Sequence, residues 1–218
     1  MKYTVRQPLS RSSSNPPVLV ILHGYGADEF DLLPMASKLN PSLLTISLQA
    51  PVELGWGGYA WYQLTQTPTG LREDFKSRKI SEEIVIKELP EIISKEGGDP
   101  SQVYLMGFSQ GAAMCYSLVT KDDFSKKGIT IRAVIAMSGY IPDDVKTLLR
   151  ERDLSLIPFF ISHGTHDELI SLIAMKHAKE ILEHAGAKTF AKEYETGHGL
   201  TEETVSDIRN WLSTLLQN

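Results

Sequence analysis

The sequence holds one cysteine, Cys115, in 218 residues. It can form no intrachain disulfide, and a cysteine-ligated metal cluster is excluded. No run approaches the eighteen or so apolar residues of a membrane span, and the opening segment, MKYTVRQPLSRSSSNPP, contains no apolar stretch of the secretory-signal kind. A basic block is also missing. The 22 Lys and Arg are scattered among 27 Asp and Glu, for a formal charge of −5. Nucleic acid and anionic membrane both reward clustered cations, so neither is expected as a partner and no stable membrane association is expected. There are no internal repeats and no low-complexity tract. These absences together suggest a soluble, cytoplasmic protein; they leave the oligomeric state open, a homodimer included.

What is present is a 42% hydrophobic chain of a length suited to one sizeable core, so a single domain over 1–218 is expected. SRSSSNPP (10–17) reads as a polar loop after a short first strand, KYTVRQ. Beyond it, apolar β-rich runs stand at 18–22, 43–48, 103–107, 132–137, 158–162 and 190–194. Several are apolar on consecutive residues, as strands buried on both faces are. Helical patterns fall between them at about 30–39, 74–96, 110–120, 143–151, 171–185 and 201–216, with Pro90 expected to kink or split the second. This alternation predicts an α/β fold: a doubly wound, mainly parallel sheet of about seven strands with helices on both faces. Ligands of such sheets bind at the carboxyl ends of the strands, so the loops there are the ones to search.

The strand VYLMG runs into FSQGAAMCYSLV, where Gly107 and Gly111 bracket Ser109 in the pattern G-x-S-x-G. That pattern fits a nucleophile held on a strained strand-to-helix turn. The amide of Gln110 would open the following helix and point toward the serine oxygen. Cys115 reads as a small buried hydrophobe. A serine needs a base within hydrogen-bond reach. His177 and His184 read as surface residues of a Lys/Glu-rich helix, His23 and His163 as structural residues at strand ends, and His166 as tied beside Asp167. His198, in ETGHGLTEE between two glycines, has the loop freedom a base requires. A carboxylate must orient that base. Asp167 in HGTHD is favoured; its rivals Asp143 and Asp144 look like a helix-capping pair. A metal site of His163, His166, Asp167 and His198 is the alternative use of the same residues, without H-E-x-x-H spacing. The HGYGAD loop (23–28) supplies a permissive backbone able to turn its N–H groups inward.

Four segments, ILHGYGAD, GFSQGAAM, ISHGTHDELI and GHGLTEETVSDIRNWL, resemble the phospholipase/carboxylesterase family, which includes carboxylesterases and acyl-protein thioesterases. The resemblance implies an α/β-hydrolase with Ser109 as nucleophile, His198 as base and Asp167 as acid. It also implies an oxyanion hole from the main-chain N–H groups of Tyr25 and Gln110; Tyr25 stands where the family usually has leucine. No cofactor or metal is required. The expected activity is cleavage of carboxylic esters of short to medium acyl chains. Thioesterase or lysophospholipase action with the same triad is the alternative, and a catalytically silent binding module a distant one. The family match is poorest over 52–70, VELGWGGYAWYQLTQTPTG, which shows no helical or strand period. Its Trp56, Tyr59 and Trp61 either line an acyl or alcohol site or seal the sheet edge. Leu169, Ile170 and Leu200, beside the acid and base, are further pocket candidates.

Overall fold

The computed structural model describes residues 1–10, 15–67 and 70–216. The chain begins with β1 (Tyr3–Arg6), β2 (Pro17–Leu22), α1 (Leu33–Ala36), β3 (Leu44–Leu48), β4 (Val52–Glu53), β5 (Tyr59–Ala60), β6 (Leu64–Thr67) and β7 (Gly70–Glu73). It continues with α2 (Phe75–Glu96), β8 (Asp99–Phe108), α3 (Gln110–Leu118), α4 (Asp123–Lys126), β9 (Ile131–Met137) and α5 (Asp143–Arg150). The last elements are β10 (Phe159–Gly164), α6 (Leu172–His184), β11 (Thr189–Tyr194) and α7 (Glu202–Leu216). Seven strands form one sheet in the order β1-β3-β2-β8-β9-β10-β11. Only β1 runs antiparallel to its neighbour; the other pairings are parallel.

Side chains alternate across the sheet, and both faces are covered. On β2, Val18, Val20 and Leu22 join the core under α2, α3, α5 and α6. Leu19 and Ile21 point the other way, into the core shared with α1 and α7. From β2 the chain moves outward to β3, whereas from β8 it moves to β9 on the other side. The connections therefore diverge between the carboxyl ends of β2 and β8, the place where an open α/β sheet forms a ligand crevice. The HGYG loop and Ser109 both emerge there.

Three local expectations need correction. The segment 30–39 forms only the one-turn α1, with Pro34 in its first turn. Pro90 neither breaks nor splits α2, which runs unbroken from an Asp74 cap. The buried stripe Val85, Leu89, Ile92 and Ile93 continues past the proline. Packing of that stripe on the sheet outweighs the roughly 3 kcal/mol that an interior proline costs. The stretch 52–70 is not without strands: it carries β4–β5 and most of β6–β7, both antiparallel. Positive φ at Gly57 and Gly58 closes the first hairpin, whose short strands give too few residues for a period to show. Part of the 10–17 loop lies outside the described residues. Among the described residues no helix is long and apolar enough to cross a membrane.

Candidate active site

β8 ends at Phe108 and α3 begins at Gln110, so Ser109 alone turns the chain. It does so at φ 53° and ψ −114°, a region costly for any residue with a β-carbon. The flanking glycines are required by contact. A β-carbon on Gly111 would stand 2.0 Å from the Leu22 carbonyl oxygen, and one on Gly107 2.3 Å from the Gly111 oxygen. Their absence lets the first turn of α3 rest directly on the ends of β2 and β8. The Ser109 N–H donates to the Met137 carbonyl at 2.8 Å, fastening the elbow to β9.

His198 reaches this serine from the loop between β11 and α7. Its Nε2 lies 2.9 Å from Ser109 Oγ, and its Nδ1 lies 2.7 Å from Asp167 Oδ2. The Phe108 ring packs 5.0 Å from the imidazole. Asp167 follows β10 with its carboxylate fully buried. Its other oxygen accepts the Leu169 and Ile170 amides, each at 2.9 Å. Burial pushes this carboxyl up, but the Ile170 amide, the His198 ring and the Leu169 amide outweigh it and hold the group below its ordinary value. An ionised Asp167 requires a donor on the ring nitrogen facing it, so Nδ1 carries the hydrogen and Nε2 is left to accept from Ser109. His163 also approaches Asp167 Oδ2, at 3.1 Å, while its Nε2–H donates to the Ile170 carbonyl at 2.7 Å. His166 is exposed and turns to the Thr165 hydroxyl. Among the described residues no group of three or more His, Cys, Asp or Glu is disposed to hold a metal ion.

The rivals of Asp167 are elsewhere engaged, and they do not cap α5. Pro142 occupies the cap position, and both aspartates lie in the first turn. Asp143 pairs with Lys146 and Asp144 with the buried Arg78. His23 is structural: its Nδ1–H donates to the Gly24 carbonyl and its Nε2 accepts from the Ala50 amide. Burial lowers its pKa. Cys115 is buried, and desolvation raises its thiol pKa.

Ser109 and His198 open onto a groove of about 1290 Å³. Gly24, Tyr25 and Gln110, the last two being the residues suggested for an oxyanion hole, border the same groove. As the first residue of α3, Gln110 has an N–H with no intrahelical acceptor. Its lining includes Tyr62, Leu64, Glu73 and Phe75, together with Ile141, Ile170 and, from α6, Ile173, Ala174, Ala178 and Ile181.

Leu169 and Ile170 line the groove as expected, but Leu200 packs instead into the α7-side core. The aromatic trio also departs from a lining role. Trp61 is fully buried, with its indole N–H donated to the His23 carbonyl at 2.9 Å. Tyr59 exchanges backbone bonds with Gly26 and Ala27. Trp56 is 70% exposed and covers Gly26, with its ring 6.4 Å from that of Tyr25. The three brace the loop bearing Tyr25 from behind. Sequence reasoning missed the α6 wall and the Tyr62–Tyr140 pair. The stripe Ala174, Ala178 and Ile181 at helical spacing was the available signal, obscured by the Lys and Glu between its members. His177, read as surface, is exposed but borders the groove.

Known proteins share this architecture. The phospholipase/carboxylesterase family model matches residues 9–216. A probable carboxylesterase, SOBER1-like, of Arabidopsis thaliana is 29% identical over 177 residues, covering 77% of this chain and 64% of that protein. Acyl-protein thioesterase 1 of Debaryomyces hansenii is 28% identical over 120 residues, 53% of this chain and 49% of its own length. The matches thus span less than two thirds of either relative. The solved Bacillus cereus carboxylesterase superposes with a TM-score of 0.81 at 23% identity, over 99% of this chain and 94% of that one. At that identity the likeness concerns the fold. With the family model matched from residue 9 to 216 on an α/β-hydrolase sheet, this chain belongs to the phospholipase/carboxylesterase family.

Proposed function

We propose that the protein is a serine hydrolase that cleaves carboxylic esters of short to medium acyl chains through an acyl-enzyme. The observation that carries the reading is the hydrogen-bonded series from Ser109 Oγ through His198 to Asp167, at 2.9 and 2.7 Å, opening on an apolar-walled groove. In this reading His198 Nε2 takes the serine proton as Oγ attacks the ester carbonyl. Asp167 holds the imidazole in the required tautomer and stabilises the imidazolium. The Tyr25 and Gln110 amides receive the developing oxyanion. His198 then returns the proton to the departing alcohol, and water repeats the sequence on the acyl group. Metal and cofactor have no part in these steps.

The aliphatic wall of α6 supports an acyl chain lying along it. Each methylene buried there contributes up to about 0.8 kcal/mol. The groove is open to solvent on one side, which favours short and medium chains over long ones. In this reading Ala178 and Ile181, on the same groove-lining helix, limit the length of chain accepted. A thioester would react by the same route, and the thioesterase among the relatives supports that second reading. The proposal includes a soluble, cytoplasmic setting without stable membrane association.

The test is a chain-length series of matched oxygen esters and thioesters, with fluorophosphonate labelling. Labelling confined to Ser109, and loss of both labelling and hydrolysis in a folded Ser109→Ala variant, is the expected result. Folded wild-type protein that neither labels nor hydrolyses any ester would favour a silent binding module.

A further inference from the structure

Next to the nucleophile, the groove wall holds a polar corner that hydrolysis itself does not use. The Tyr62 hydroxyl lies 2.8 Å from that of Tyr140, and the Tyr140 hydroxyl donates to Glu73 Oε2 at 3.1 Å. All three residues border the groove. A phenol has one hydrogen, and a carboxylate only accepts. The Tyr140 hydrogen is therefore committed to Glu73, and Tyr62 must be the donor to Tyr140. Burial raises the pKa of both phenols, which keeps their hydrogens in place. It also pushes the Glu73 carboxyl up, against the lowering by Arg78 and Tyr140.

Arg78 turns no donor into the groove: it is absent from the groove lining, and its one unpartnered N–H, at Nε, is buried. It is fully buried, with its guanidinium on Glu82 at 2.6 Å, Ser117 at 3.1 Å, Asp144, and Glu73 Oε1 at 3.5 Å. The connected charges balance, with Arg78, Lys79 and Lys121 against Glu73, Glu82 and Asp144. What Tyr140 and Glu73, both partly exposed, offer the groove is lone pairs, on one phenol oxygen and the carboxylate, while the fully buried Tyr62 supports Tyr140 from behind and the ion network beneath carries no net charge. It is also anchored to the elbow. The Gln110 side chain accepts the Trp61 amide and donates to the Tyr62 carbonyl, each at 2.7 Å. Tyr140 follows Gly139, where a β-carbon would lie 3.1 Å from the Ser109 carbonyl oxygen.

We infer that Tyr140 and Glu73, backed by the buried Tyr62, form a subsite for an uncharged hydroxyl on the substrate, so that hydroxylated esters are selected over plain, anionic or cationic ones. The inference rests on reading the groove as an ester-hydrolysing site. A plain ester leaves these acceptors unpartnered or facing trapped water; a hydroxyl donates to them. One hydrogen bond to a charged acceptor corresponds to a preference of about 10-fold or more.

The experiment compares kcat/KM for ethyl butanoate with its 3- and 4-hydroxy forms, and with the ethylene glycol monoester. Ethyl esters carrying a terminal carboxylate or ammonium complete the set. At least one hydroxylated ester is expected to exceed plain ethyl butanoate by about 10-fold, with both ionic esters slower than it. Tyr140→Phe and Glu73→Leu should each shrink that ratio, and the double variant should bring it to about 1. Equal rates across the wild-type set, preference for an ionic ester, or a ratio unchanged in a folded double variant would overturn the subsite. If a variant fails to fold, the wild-type ratios alone decide. Plain-ester hydrolysis without hydroxyl preference overturns the subsite only, whereas absence of any ester hydrolysis refutes the esterase reading and the subsite with it.

Discussion

Ser109 sits at φ 53° and ψ −114°, so replacing it with glycine should yield a more stable, inactive protein than replacing it with alanine. Both substitutions remove the hydroxyl and its bond to His198, and that loss cancels in the comparison. Alanine keeps the β-carbon and with it the backbone strain, a cost of about 1–3 kcal/mol. Glycine relieves it but has more freedom in the unfolded chain, which offsets about 0.4–1 kcal/mol. At mid-range the difference leaves Ser109→Gly ahead by about 1.3 kcal/mol. For a chain of this size each kcal/mol moves the thermal midpoint by about 2–4 °C, so Ser109→Gly should melt about 3–5 °C above Ser109→Ala. Reversible thermal unfolding followed by circular dichroism measures this directly, and neither variant should be labelled by a fluorophosphonate. A glycine variant melting at or below the alanine variant would refute the claim that the elbow is strained by its β-carbon.

Asp167→Asn should cut turnover on the order of 10⁴ by misdirecting the base. Asp143→Asn should change it by no more than a few-fold, and an inactive Asp143→Asn beside an active Asp167→Asn would place the acid on the wrong strand. Asp144→Asn removes an ion partner of the fully buried Arg78, so it should lower the thermal midpoint while sparing kcat; the reverse pattern contradicts the structural assignment. The Asp167 carboxyl is held below its ordinary value of 3.8, so it contributes stability above the unfolded pKa that is lost as pH falls through the folded one. Denaturant titrations of wild type and Asp167→Asn should accordingly converge below about pH 4, and a gap that widens on acidification rejects that sign. Ala178→Trp, on the α6 wall, should move the optimal acyl length downward, whereas Trp56→Ala should leave it unchanged; a shift caused by Trp56→Ala would restore the tryptophan loop to the pocket.

The strands of the sheet and the series Ser109, Asp167, His198 were legible in the chain for related reasons. A strand covered on both faces must be apolar on consecutive residues, as VLVIL on β2 is, and that pattern is local. Chemistry at the carboxyl ends of such strands demands a serine between close-packing glycines, a carboxylate in a tight turn and a histidine on a loop. Each demand is met within a few adjacent residues. The walls of the groove obey no such local rule. Tyr62, Ser109, Tyr140 and Ile173 meet only because α5, α6 and the β6–β7 hairpin all fold over one end of the sheet. Nothing next to Trp61 in the chain announces that its indole turns inward to the His23 carbonyl while Trp56, five residues earlier, faces water. Pro90 likewise reads as a helix breaker until the stripe of Val85, Leu89 and Ile93 is packed on the sheet. Residue type and spacing encode burial and reactive groups over short range; the direction each side chain faces across the groove depends on contacts between distant segments, which exist only once the sheet has assembled.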